Sequence, residues 1–264
     1  MSFQHSLTNL NSDQKKHPVL FILFGASNLA RSYYGLNLSI KRCIHPRKAT
    51  FIHAMGPGRG YLCRGGIFNT TYPPIIDCGI LESIQKIRKP NQQIIALITD
   101  IGNDIMYGIH SEKIIEGLQK ILDTLGEFTK NIFITPIPIN SKNDIGEFYF
   151  RLLRCIFFPK SSTEHSQTLE SIKLINQFIL HSSNKKTTVI NGMERFCGLD
   201  KIHYSFFKSH LAWAHIANNL IEPIGVNVSP ILQFPEALLS LTNNLARILL
   251  IDILGIINKN NETF

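Results

Sequence analysis

The 264-residue chain has no run of about 18 apolar residues, so nothing in it reads as a bilayer-spanning helix. It has no Cys-x-x-Cys pair, and its five cysteines (Cys43, Cys63, Cys78, Cys155 and Cys197) are widely spaced and odd in number. Neither a zinc ribbon nor a full disulfide framework is suggested. The first seventeen residues are polar and lack the apolar stretch of a secretory signal. A reducing, cytoplasmic setting is the expectation. There is no Walker A motif, no internal repeat and no low-complexity tract. Charge is sparse at 17%, while hydrophobic residues reach 44%, a globular balance rather than a disordered one. The net charge of +8 is scattered in short groups such as Lys15-Lys16, Lys41-Arg42, Arg47-Lys48 and Lys185-Lys186. No aromatic-interleaved basic stripe accompanies them, so no nucleic-acid partner is expected.

Short continuous apolar runs begin at Pro18–Phe24 and recur at Ala49–Met55, Gln93–Thr99, Asn131–Thr135 and Thr187–Ile190. Runs of this kind suit strands buried on both faces, as in parallel sheets. Helical spacing fills the gaps, at about 28–41, 79–88, 111–126, 165–182 and 206–221. The alternation predicts an α/β protein. Its expected form is a three-layer α/β/α flavodoxin-like sandwich with a mostly parallel five-stranded sheet, plus a C-terminal apolar helix. In such sheets the ligand site lies beyond the carboxyl ends of the strands, near the topological switch point.

Two long connections interrupt the pattern. Residues 56–74 are glycine-rich, and residues 136–164 contain three prolines and a helix expected around 144–156, which could act as a lid. Residues 1–17 read as a polar leader and 225–264 as an extension whose helix opens at Pro235 and ends near Asn258. The second half of that helix is apolar nearly all round, so it is expected to be buried. Packing on its own domain or on a twin subunit is the plainer outcome, and peripheral contact with a membrane surface is the other.

Chemistry-bearing residues follow the strands. Ser27, in Gly25-Ala26-Ser27-Asn28, stands at the start of the first helix, where unpaired N–H groups favour an oxyanion beside Oγ. A plain helix cap would look the same. The second strand leads into Gly56-Pro57-Gly58-Arg59-Gly60, where glycine lets the backbone approach a ligand closely. The third leads into Asp100-Ile101-Gly102-Asn103-Asp104, which is either a turn or an amide aimed at the same oxyanion. After the fifth, Asp200-Lys201-Ile202-His203 places a carboxylate three residues from a histidine it could orient. Arg31 and Arg59 lie near this group in sequence and could bind an anionic part of a substrate.

Four such pieces in this order resemble the four blocks of the SGNH (GDSL-like) hydrolases, over about residues 18–221 of a domain drawn at 18–224. The resemblance implies a cofactor-free serine esterase, lipase or acyl hydrolase working through an acyl-enzyme, with acyl transfer as a variant. It implies Ser27 as nucleophile, His203 as base and Asp200 as its orienting partner. The oxyanion hole would be formed by Ser27, Gly58 (with Gly60 as an alternative) and Asn103. No metal is implied. Departures from the family pattern are Ala26 where block one has aspartate, and a glycine directly before Asn103. Two other readings stay open: a catalytically silent carbohydrate- or lipid-binding protein of the same fold, and a nucleotide-binding α/β protein. The second lacks the acidic residue that a dinucleotide fingerprint places about 20 positions on. The substrate would be a small-molecule or lipid-like ester.

Overall fold

A computed structural model of the chain describes residues 17–67, 70–140, 144–247, 249–250 and 254. Five strands, β1 (Val19–Phe24), β2 (Ala49–Ala54), β3 (Gln93–Ile98), β4 (Ile132–Ile134) and β5 (Thr187–Val189), form one sheet in the order β2-β1-β3-β4-β5. All four pairings are parallel. The sheet is therefore wholly parallel, and its strand order reverses at β1.

The continuous apolar runs have a direct explanation in the two layers. In β1, Leu20, Ile22 and Phe24 point into one core while Val19, Phe21 and Leu23 point into the other. The first core is filled by α2 (Ile80–Ile87), α4 (Ser111–Phe128) and α6 (His165–His181). The second is filled by α1 (Ser27–Ile44) and α7 (Ser209–Ile221). Strand side chains alternate between faces, so a strand covered on both sides is apolar at every position.

The helices differ from expectation mostly at their ends. A four-residue helix, α3 (Asn103–Met106), forms where a turn was the simpler reading. In the long 136–164 connection, α5 (Glu147–Phe157) is helical. The helix α7 opens at Ser209 rather than 206, because 205–208 form a turn closed by Lys208 N–H on the Ser205 carbonyl.

The final helix, α8 (Phe234–Arg247), lies against α1. Its contact face is polar and small: Ser240 and Asn244 are buried, and a Cβ on Gly35 of α1 would collide with Ser240. Arg42 of α1 pairs with Glu236, and Ser39 donates to the Pro230 carbonyl. Burial on every side is not what the described part shows. Leu249, Leu250 and Leu254 stay about half exposed. The rest of the helix expected to reach Asn258, and the polar leader up to residue 16, lie outside the described residues. Among the described residues, no helix is long and apolar enough to cross a membrane.

Candidate active site

The sheet brings the loops after all five strands to one edge. A single cleft there is lined by Ser27 after β1, Gly58 after β2, Asn103 after β3, Pro136 to Ile139 after β4, and Asp200 with His203 after β5. Residues as far apart as 27 and 203 meet because β1 is central and its carboxyl end opens at the switch point.

Ser27 occupies the first turn of α1, but its hydroxyl does not cap that helix. It lies 2.8 Å from His203 Nε2. The capping work is done from outside: Asp100 Oδ2 accepts the N–H groups of Ala26 at 3.0 Å and Leu29 at 2.9 Å. A carboxylate at a helix N-terminus is stabilised by the helix dipole, and here it leaves the serine hydroxyl available to the imidazole. Asp100 reaches this position with φ +56, a left-handed backbone that Asp tolerates better than most residues.

His203 is held on its other side. Its Nδ1 is 2.7 Å from Asp200 Oδ2, while Asp200 Oδ1 accepts the backbone N–H groups of His203 at 2.9 Å and Ile202 at 3.1 Å. Burial pushes the Asp200 carboxyl up, but the hydrogen bond and charge of His203 and these backbone donors outweigh it and leave it below its ordinary value. The carboxylate is thus held ionised beside the imidazole.

The two loops are joined through Asn28. Its amide donates to Asp100 Oδ1 at 2.9 Å and to the Ile202 carbonyl at 3.2 Å, and its oxygen accepts the Tyr204 N–H at 2.9 Å. Asn28 therefore grips the chain on both sides of His203.

The glycine loop is organised by Asp104, which is fully buried. Its carboxylate accepts the N–H groups of Tyr61 at 2.7 Å, Leu62 at 2.9 Å and Cys63 at 3.1 Å. Tyr107 adds a bond from its hydroxyl to the Gly58 carbonyl at 2.8 Å. Gly58, at φ +72, lines the cleft, a conformation glycine adopts without strain. Gly60 does not line it; a Cβ there would meet Asp104 and Cys63 instead. Asn103 also lines the cleft, and its amide donates to the Arg59 carbonyl at 2.9 Å, using one of two hydrogens.

The two arginines are not brought to the cleft. Arg59 is 1% exposed, its Nε donates to the Pro73 carbonyl at 3.0 Å, and its guanidinium stacks on Tyr72. It is turned inward, against Tyr72 and Pro73 of the same loop. Arg31 sits one turn along α1 from Ser27 and is absent from the lining. Among the described residues, Arg154 of α5 is the arginine that lines the cleft, bonded to the Thr163 carbonyl at 2.8 Å. Sequence reasoning marked its helix as a lid but not the residue. It also passed over Asn28, Asp100, Asp104 and Tyr107; for Asp104 the adjacent Asn103 was the available signal.

No protein-family model matches the chain, and no curated protein matches it. Solved structures do. One crystal structure superposes with a TM-score of 0.51 at 14% identity, covering 79% of this chain and 99% of its own. A member of the lipolytic protein G-D-S-L family from Veillonella parvula DSM 2008 gives a TM-score of 0.47 at 14% identity, covering 77% of this chain and 97% of its own. The psychrotrophic esterase EstA from Pseudoalteromonas sp. gives 0.43 at 13% identity, over 78% and 98%. These likenesses bear on the fold alone, an α/β sandwich around one parallel five-stranded sheet. Identity this low speaks to the fold and not to the chemistry, which has to be argued from the side chains.

Proposed function

We propose that the protein is a serine hydrolase that cleaves an ester through an acyl-enzyme intermediate. The observation that carries this reading is the unbroken chain Ser27 Oγ–His203 Nε2–Asp200 at 2.8 and 2.7 Å. A hydroxyl freed from helix capping, an imidazole within proton-transfer distance and a carboxylate fixing its tautomer are the three parts of a nucleophilic triad.

In the first step Ser27 Oγ attacks the ester carbonyl carbon while His203 Nε2 takes the hydroxyl proton. The carbonyl π electrons move to oxygen, and that oxyanion faces the Ser27 and Gly58 N–H groups and the second amide hydrogen of Asn103. Collapse breaks the bond to the alcohol oxygen, which leaves with the proton from His203. Water then gives a proton to His203 and its oxygen to the acyl carbon; the acyl–Oγ bond breaks, Oγ takes the proton back from His203, and the acid leaves. Asp200 remains an anion throughout and stabilises the imidazolium.

The test is turnover of p-nitrophenyl acetate by purified protein. Ser27→Ala is expected to lose at least ~10⁴-fold in kcat, and a fluorophosphonate probe is expected to label Ser27 and to fail on His203→Ala. Full activity in Ser27→Ala would overturn the reading. A catalytically silent binder would show no labelling at all.

A further inference from the structure

The helix α5 is apolar on two sides. Phe150, Leu153 and Phe157 face the cleft. Phe148, Leu152 and Ile156, four residues apart and so on one stripe, face solvent, with Phe148 75% exposed. The loop that carries Asp200 and His203 does the same. Ile202 and Tyr204 line the cleft, while Leu199 is 96% and Phe207 82% exposed. Both elements border one cleft, and each also carries large apolar side chains that stand in water.

A water-soluble small ester needs no such rim. Leaving this surface in water costs about 25 cal/mol per Å², and soluble monomers rarely keep large contiguous apolar patches without a use for them. The cleft behind the rim is itself apolar, walled by Ile137, Ile139, Phe150, Leu153, Phe157 and Ile172. Exposed apolar side chains and an apolar cleft wall thus belong to the same two elements. The charge is compatible with phospholipid: segments 144–160 and 194–208 hold six Lys and Arg against four Asp and Glu, and the chain carries +8.

The structure assigns this rim, the outer face of α5 with the 199–207 loop, as a docking surface for a lipid aggregate, from which an acyl chain passes directly into the cleft. The rim replaces the water that a tail would otherwise have to cross. The docking stands on exposed side chains alone, while its purpose rests on the proposed hydrolase reading. The proposed surface involves none of the residues of α8, which lies against α1.

The full chain is sedimented with vesicles of phosphatidylcholine containing phosphatidylglycerol, beside the double variant Phe148→Ser with Phe207→Ser. Neither residue lines the cleft. The unmodified protein should pellet with the vesicles, and the variant's partition coefficient should fall by ~10-fold or more. Both should hydrolyse dissolved p-nitrophenyl butyrate equally, which also shows that the variant is folded. On p-nitrophenyl palmitate in mixed micelles the variant should be slower by a similar factor. The proposal is overturned if the unmodified protein stays in the supernatant or if both proteins pellet alike. It is also overturned if the rim only joins two copies, seen as a dimer in equilibrium sedimentation that the variant dissolves without any vesicle binding. Ser27→Ala separates the two readings, because it should lose turnover and still pellet. Pelleting without ester turnover by any form would sink the hydrolase reading and leave the docking surface standing.

Discussion

Asn28 and Asp100 are joined at 2.9 Å, amide to carboxylate, and this bond helps tie the loop after β1 to the loop after β3. Asp100 in turn takes the N–H groups flanking Ser27, and Asn28 takes the backbone on both sides of His203. The hydroxyl and the imidazole are thus held in place by neighbours whose side chains bond to neither of them.

Asn28→Ala should therefore lower kcat by ~10- to 100-fold while changing KM by less than about threefold, since a small misplacement of reacting groups is costly. Stability should fall by ~1–3 kcal/mol, as Asp100, the Ile202 carbonyl and the buried Tyr204 N–H each lose a hydrogen bond. Asn28→Asp should be worse than Ala in both respects, because it sets a second carboxylate against Asp100. Steady-state kinetics with denaturant unfolding reads both. A variant that loses stability while keeping kcat would assign Asn28 a purely structural role.

Asn103→Ala tests the proposed oxyanion site. Losing one donor to a developing oxyanion typically costs 10²- to 10³-fold in kcat with KM little changed, a magnitude taken from a different serine hydrolase. The Arg59 carbonyl also loses its partner, at about 1 kcal/mol of stability. Activity assays below the melting range separate the two effects, and an unchanged kcat would remove Asn103 from the proposed mechanism.

Arg59→Met should leave KM for neutral and anionic esters within about twofold and reduce stability by ~2–4 kcal/mol, because a buried guanidinium bonded to Pro73 and stacked on Tyr72 is replaced. Arg154→Met, altering the arginine that does line the cleft, should instead act on KM for anionic substrates. An Arg59 variant with normal stability and raised KM would reverse these assignments.

Much of the fold was legible because a parallel sheet covered on both faces needs apolar residues at every strand position, and that leaves an unmistakable run in β1 and β3. The residues Ser27, Asp200 and His203 were legible because each follows a strand at the same edge. The orientation of Arg59 was not, since a glycine-rich loop gives no periodicity from which to read an inward turn. Nor was the role of Asp100. Its partners, Ala26, Asn28 and Leu29, are more than seventy residues away in sequence, and only the sheet order places them beside it. The short strand-end helix α3 was hidden by turn-forming residues that serve equally as a helix start.

His53 supplies a pH dependence of stability independent of the active site. It is 5% exposed, its ring packs edge-on against Tyr33, and Nδ1 has no hydrogen-bond partner among the described residues. Burial, with the charges of Arg247 and Arg59 adding to it, pushes the imidazole down to about 4 from its ordinary 6.5. Between those values the unfolded chain binds a proton that the folded chain refuses, so stability rises with pH across the window. The contribution is complete above about pH 6.5 and is lost as pH falls toward 4, amounting to ~3 kcal/mol. His53→Leu removes the titrating group and keeps the site apolar. Denaturant unfolding at pH 4.5, 5.5, 6.5 and 7.5 should show the unmodified protein losing stability more steeply than the variant below pH 6.5. Parallel curves for the two proteins would mean that His53 is not buried in neutral form.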